Sequence, residues 1–141
     1  MFIYLAAPLF SLAEQEFNQK LCDKLENLGF DVFLPQRYVT EHIDFDISDW
    51  QDKVFEANCN AIEIADIIVC VLDGSVVDDG TAWEIGHAYS LDKTIYGLRT
   101  DFRIVGLEGQ VNLMIGESVE KIFSTVEDLI NCLVLKVHCS V

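Results

Sequence analysis

The segment Ile67-Ile68-Val69-Cys70-Val71-Leu72 is apolar at every position and lies between Asp66 and Asp73. A run of this length, rich in β-branched residues, reads as a strand with both faces covered, because a half-exposed strand alternates polar and apolar side chains. It is far shorter than the roughly 18 residues a membrane span requires, and the flanking acids rule out an extension. Both faces of such a strand are covered when helices flank a parallel sheet. Runs of strand type recur at 2–5, 31–34, 66–72 and 94–98, separated by segments of helical period. The repeating β–α rhythm predicts an open α/β sheet with helices on both faces.

The 141 residues suit one domain, 1–141, with a real core. Twenty-four acidic residues against nine basic ones give a formal charge of −15, which opposes a polyanion and excludes DNA and RNA as expected partners. A solvated acidic face accounts for the same charge. Met1-Phe2-Ile3-Tyr4-Leu5 lacks the basic start of a signal peptide and reads as a strand that begins at once, predicting a cytoplasmic protein without membrane association. Five cysteines without C-x-x-C spacing predict reduced, mostly buried thiols. His42, His87 and His138 form no metal-ligand pattern with them, so no metal is expected.

Ser11 with Glu14, Ser48 with Gln51, Thr81 with Glu84, and Ser124 with Glu127 all fit the capping-box spacing, predicting four main helices. Glu84 therefore carries two readings. As the third residue of a box it reaches back to a backbone amide. As a carboxylate at the helix start after the most buried strand, it faces the cleft where open α/β sheets bind ligands, and the helix amino terminus favours the ionised form a nucleophile needs.

Tyr4 and Ala6 end the first strand at the same cleft. Tyr4 is either a core tyrosine or a hydrogen-bonding holder for a carboxylate. Asn58 falls on the apolar stripe of the second helix, with Ile47, Trp50, Val54, Phe55, Ala61, Ile62 and Ala65, and a polar residue there needs a partner, internal or substrate. Asp78 and Asp79 before Gly80 are turn residues, and two in succession leave one free. Phe10, Phe45 and Trp83 either belong to the core or wall a pocket against a planar base.

Four segments, Ile3-Tyr4-Leu5-Ala6-Ala7-Pro8-Leu9-Phe10, Phe33-Leu34-Pro35-Gln36-Arg37, Ala61-Ile62-Glu63-Ile64-Ala65-Asp66 and Asp79-Gly80-Thr81-Ala82-Trp83-Glu84-Ile85-Gly86-His87-Ala88, resemble the nucleoside 2-deoxyribosyltransferase family. The resemblance implies a flavodoxin-like sheet of about five strands. It also implies transfer of 2-deoxyribose between purine or pyrimidine bases without a cofactor, as in nucleotide salvage. It assigns Glu84 as nucleophile, Tyr4 as its holder, and Asp78 as the acid that contacts and helps protonate the base. Around the substrate it places Ala6, Gln36, Asn58, Gly80, Trp83, Asn112 and Met114. Asn112 is lent to a neighbouring subunit's site, so the implied state is a homo-oligomer, a dimer or trimer of dimers. Many members carry an aspartate where this chain has Asn58. An amide cannot be a general acid, so protonation passes to Asp78, Asp79 or a terminal carboxylate.

The implied chemistry resembles a retaining glycosidase: a carboxylate attacks the anomeric carbon, the base leaves with a proton, and a second nucleophile attacks the glycosyl-enzyme. A base as second nucleophile makes a transferase and water makes a hydrolase. The alternatives are a 2′-deoxynucleoside 5′-monophosphate N-glycosidase and a non-catalytic nucleotide-binding module of the same fold. The first loop, Ala6-Ala7-Pro8-Leu9-Phe10-Ser11, lacks the basic and glycine-rich character a phosphate calls for.

Overall fold

A computed structural model describes residues 1–103 and 111–139. Along the chain run β1 (Phe2–Ala6), α1 (Leu12–Asn27), β2 (Asp31–Phe33), α2 (Pro35–His42), α3 (Trp50–Ile64), β3 (Ile67–Val71), α4 (Asp79–Ser90), β4 (Thr94–Leu98), α5 (Leu113–Ser118), β5 (Lys121–Phe123) and α6 (Val126–Cys139). The strands form one parallel sheet in the order β2-β1-β3-β4-β5. This is the flavodoxin-like α/β arrangement expected, with β3 in the centre and all five of its residues buried.

Side chains alternate along each strand, so the sheet divides the core in two. Ile3, Leu5, Val69 and Val71 face one way, onto Leu21 and Leu25 of α1 and Leu129 and Leu133 of α6. Tyr4, Ala6, Ile68, Cys70 and Leu72 face the other, onto Ala61 and Ile62 of α3 and Ile85 and Ala88 of α4. Gly97 on β4 lets the second layer close, since a Cβ there would stand 2.7 Å from Leu72 Cδ1. None of the described helices is long and apolar enough to cross a membrane.

The helix starts depart from the sequence expectation in an instructive way. Only Ser11 forms the full box: its Oγ accepts from Glu14 N at 3.2 Å, and Glu14 Oε2 accepts from Ser11 N at 2.7 Å. The second start slips to Asp49 and the fourth to Thr125, whose Oγ1 accepts from Asp128 N at 3.1 Å. The third moves three residues upstream to Asp78, whose Oδ2 accepts from Thr81 N at 2.9 Å. An aspartate caps as well as a threonine, and starting at Asp78 saves another turn of helix. Two further helices were not expected: α2, which opens on Pro35 in the first turn, and the six-residue α5, capped by Asn112. The three-residue β5 carries no run of its own in the sequence.

Candidate active site

Glu84 is the sixth residue of α4, not its third, so it is neither a cap nor at the helix terminus. The Thr81 amide that a capping-box glutamate would take donates to Asp78 Oδ2 instead. Its carboxylate turns to the sheet, where the Tyr4 hydroxyl donates to Oε1 at 2.5 Å. Tyr4 is fully buried in β1, in register with Phe33 of β2 and Ile68 of β3, and its ring stacks on Phe33 with centroids 5.5 Å apart. Both sequence readings of Tyr4 hold together: the ring is core and the hydroxyl holds a carboxylate.

This setting pushes the Glu84 carboxyl up to about 7. Burial is the main cause and the nearby Asp78 carboxylate adds to it, while the hydrogen bond from Tyr4 works against both. The expectation that the helix amino terminus favours the ionised form is thus corrected. By the second turn the dipole has faded, and desolvation wins. Burial and the facing Glu84 charge also raise the Tyr4 phenol, which keeps its proton and remains a donor.

Asp78 is both the α4 cap and the charge nearest Glu84 in effect. Its Oδ2 accepts from Thr81 N and, at 3.1 Å, from Thr81 Oγ1. Thr81 is itself buried. Asp79 is the first residue of α4 and not the turn residue expected, with Oδ1 accepting from Gly80 N at 2.9 Å. Gly80 gives the Asp78 carboxylate its room, since a Cβ there would lie 3.2 Å from Asp78 Oδ2.

The other expected residues divide. Ala6 is fully buried where β1 ends, on the same sheet face as Tyr4. Asn58 Oδ1 is buried and has no hydrogen-bond partner among the described residues. The thiol of the adjacent Cys59 interacts electrostatically with both Tyr4 and Glu84, so this turn of α3 borders the pair, a neighbour that no motif or spacing singles out. Gln36 is engaged elsewhere: its Oε1 accepts from Asn18 Nδ2 at 3.1 Å, and its Nε2 donates to Gln15 O at 2.9 Å. It lines a cavity of about 340 Å³ with Leu9, Gln15 and Thr40, and Glu84 does not line that cavity.

Trp83 is half-exposed, stacked on His87 at 5.2 Å and tilted against Phe55 at 5.4 Å. Phe10 and Phe45 are also exposed, so none of these three rings belongs to the core. Asn112 is exposed at the start of α5, where its Oδ1 accepts from Met114 N at 2.9 Å, and Met114 is exposed beside it. The terminal carboxylate offered as a further proton donor lies outside the described residues.

The chain is similar to known proteins over most of its length. The family model described as nucleoside 2-deoxyribosyltransferase matches residues 3–124. The 2-deoxyribosyltransferase of the psychrotolerant bacterium Bacillus psychrosaccharolyticus superposes with a TM-score of 0.80 at 30% identity, over 92% of this chain and 90% of that one. The protein UU063 of Ureaplasma parvum serovar 3 is 31% identical over 116 residues, 72% of each chain. The CMP N-glycosidase of Clostridium botulinum shares the fold at a TM-score of 0.60 and 21% identity, over 94% of this chain and 98% of that one. With the match running from β1 through β5 and across the Tyr4–Glu84 pair, the chain belongs to the nucleoside 2-deoxyribosyltransferase family.

Proposed function

We propose that this chain exchanges the base of a 2′-deoxynucleoside, with Glu84 as the nucleophile. The observation that carries the reading is the hydrogen bond between Tyr4, in the middle of β1, and Glu84, in the second turn of α4. Tyr4 ties Oε1 and leaves Oε2 to attack the anomeric carbon as the N-glycosidic bond breaks. Asp78, entering this step protonated, gives that proton to the departing base and is left as the carboxylate, while Asn58 orients the base through hydrogen bonds. A second base then attacks the glycosyl ester and passes its proton to the Asp78 carboxylate, so that Glu84 and Asp78 both return to their starting states, with the configuration retained after two inversions. Ala6, Gly80 and Trp83 border this path. Asn112 and Met114 serve the site of a neighbouring subunit in a homo-oligomer. Gln36 enters only if its bonds to α1 are exchanged for a base.

The 5′-monophosphate reading is disfavoured by one specific feature. The amides of Phe10 and Ser11, which open α1 and would otherwise receive a phosphate, donate to Glu14 Oε2 at 3.0 and 2.7 Å. A carboxylate already occupies the place of the anion.

The test is incubation of deoxyinosine with adenine, comparing the native protein with Glu84→Gln. Deoxyadenosine from the native protein alone supports the proposal. Free deoxyribose without exchange makes the protein a hydrolase, and exchange by Glu84→Gln removes Glu84 from its role. Turnover of the monophosphate in preference to the nucleoside would reverse the substrate assignment.

A further inference from the structure

The loops that follow β3 and β4 are joined by four side chains from their own residues, Asp73, Arg99, Thr100 and Asp101. Arg99, only 3% exposed, sends its guanidinium back across the sheet end to donate to the carbonyls of Leu72 and Gly74, the latter at 3.1 Å, and to Arg103 O at 3.1 Å. In the opposite direction Asp73 accepts from Thr100 N at 2.6 Å, Thr100 Oγ1 at 2.6 Å and Asp101 N at 2.8 Å. Asp101 accepts from Gly74 N at 3.1 Å, while its carboxylate is held by Arg103. The bonds run both ways between the loops, and Arg99 is the buried cation at their centre.

What this arrangement holds is the start of the passage from β3 to Asp78. Gly74 turns that passage at φ +116°, where a Cβ would stand 3.0 Å from Val76 O. Its N–H and C=O are both taken by the opposite loop. At the far end Asp78 is fixed to Thr81. Between these anchors Ser75 and Val76 are exposed and contribute little packing, while Val77, next to Asp78, is buried in the second core layer. The direction in which the passage leaves the sheet is therefore set at the Gly74 end, and the buried Val77 and the bonds to Thr81 carry it on to the Asp78 carboxylate beside Glu84. A lysine at 99 offers donors from one atom and cannot span three carbonyls as a planar fork does.

We infer that Arg99 is a positioning residue for the reaction, acting through the β3–α4 passage to hold the Asp78 carboxylate against Glu84 and the departing base. The inference rests on the transferase reading for its catalytic consequence. Its geometric content, Arg99 governing the distance between Asp78 and Glu84, stands apart from that reading.

The experiment compares native protein, Arg99→Lys, Asp78→Asn and the double variant, each shown to be folded by a cooperative melt and assayed well below its melting temperature. Asp73→Asn, which weakens the same junction from the other side, replaces Arg99→Lys if that variant does not fold. For deoxyinosine and adenine, Arg99→Lys is expected to lower kcat by about 10-fold or more with KM within about threefold. Added to Asp78→Asn it is expected to cost little more, because both act on one carboxylate.

A 13C NMR titration of the Glu84 carboxyl supplies a readout independent of turnover. A midpoint near 7 in the native protein is expected to fall in Arg99→Lys as the Asp78 charge moves away, and not to fall further in the double variant than in Asp78→Asn. A lower melting temperature with native kcat and a native Glu84 midpoint would reduce Arg99 to a structural role and overturn the inference. So would full multiplication of the two kcat effects. Absence of exchange by native protein defeats the transferase reading while the titration still decides the geometric claim.

Discussion

Tyr4 and Glu84 are 80 residues apart in sequence, yet the phenolic oxygen of one lies 2.5 Å from Oε1 of the other. One comes from the middle of the sheet and one from the second turn of a helix packed against it. Replacing Tyr4 by Phe keeps the stacking on Phe33 and removes only the donor. A hydrogen bond to a charged group is worth about 1.5–3 kcal/mol, so kcat is expected to fall about 10- to 100-fold. Because the Tyr4 bond works to lower the Glu84 midpoint, its loss moves the activity limb to pH above the native value of about 7. A pH–rate profile of Tyr4→Phe with an unmoved limb contradicts this.

Glu84→Gln is expected to abolish exchange and to stabilise the fold. The sign follows from linkage: an acid whose midpoint rises from 4.5 to about 7 on folding holds its proton more tightly when folded. The stability it contributes is present below about 4.5 and is lost as pH climbs to about 7. Above that the native state carries a poorly solvated charge, which the amide lacks. After allowance for partial solvent screening, the variant is expected to be about 1 to 3 kcal/mol more stable at pH 8, with a smaller gain at pH 5. Urea melts at the two pH values measure both, and equal differences at the two would refute the assignment.

Asp78→Asn separates two functions of one side chain. Asparagine caps a helix about as well as aspartate, so the melting temperature is expected to stay near native, whereas Asp78→Ala costs about 1 kcal/mol. Removing the charge relieves Glu84, and the activity limb moves to pH below 7. Departure of the base loses its proton donor, so kcat falls, most for bases that leave poorly without protonation. A kcat that is independent of the leaving base in this variant would take Asp78 out of the protonation step.

Gly80→Ala sets stability against activity. Alanine in a helix is favoured over glycine by about 0.5–1 kcal/mol, and the new methyl meets Asp78 Oδ2 at 3.2 Å. The carboxylate must yield by a few tenths of an ångström. The expected variant melts no lower than native protein and turns over several-fold more slowly, with KM little changed. Native turnover in Gly80→Ala would show that the placement of Asp78 tolerates such a shift.

Much of this arrangement is legible in the residues, and the failures have local causes. The continuous apolar run at β3 marks the sheet centre because both its faces are buried. The strand β5 is invisible because Lys121 is exposed and only three residues pair. Glu84 is found for a partly wrong reason: Thr81 has the spacing of a cap, but Asp78 starts the helix earlier and carries the glutamate inward by nearly a turn. The Arg99 junction escapes notice because its partners are backbone carbonyls, which every sequence has at every position.

The full burial of Tyr4 has a consequence for how this protein fails on heating. A nucleophile held by a surface loop is lost through local fraying, long before the molecule melts. Here the holding group is an interior tread of the sheet, flanked by β2 and β3, so releasing Glu84 from it means opening the sheet itself. Loss of that grip and loss of the native state are one cooperative event, and thermal inactivation should follow the unfolding curve with no earlier step.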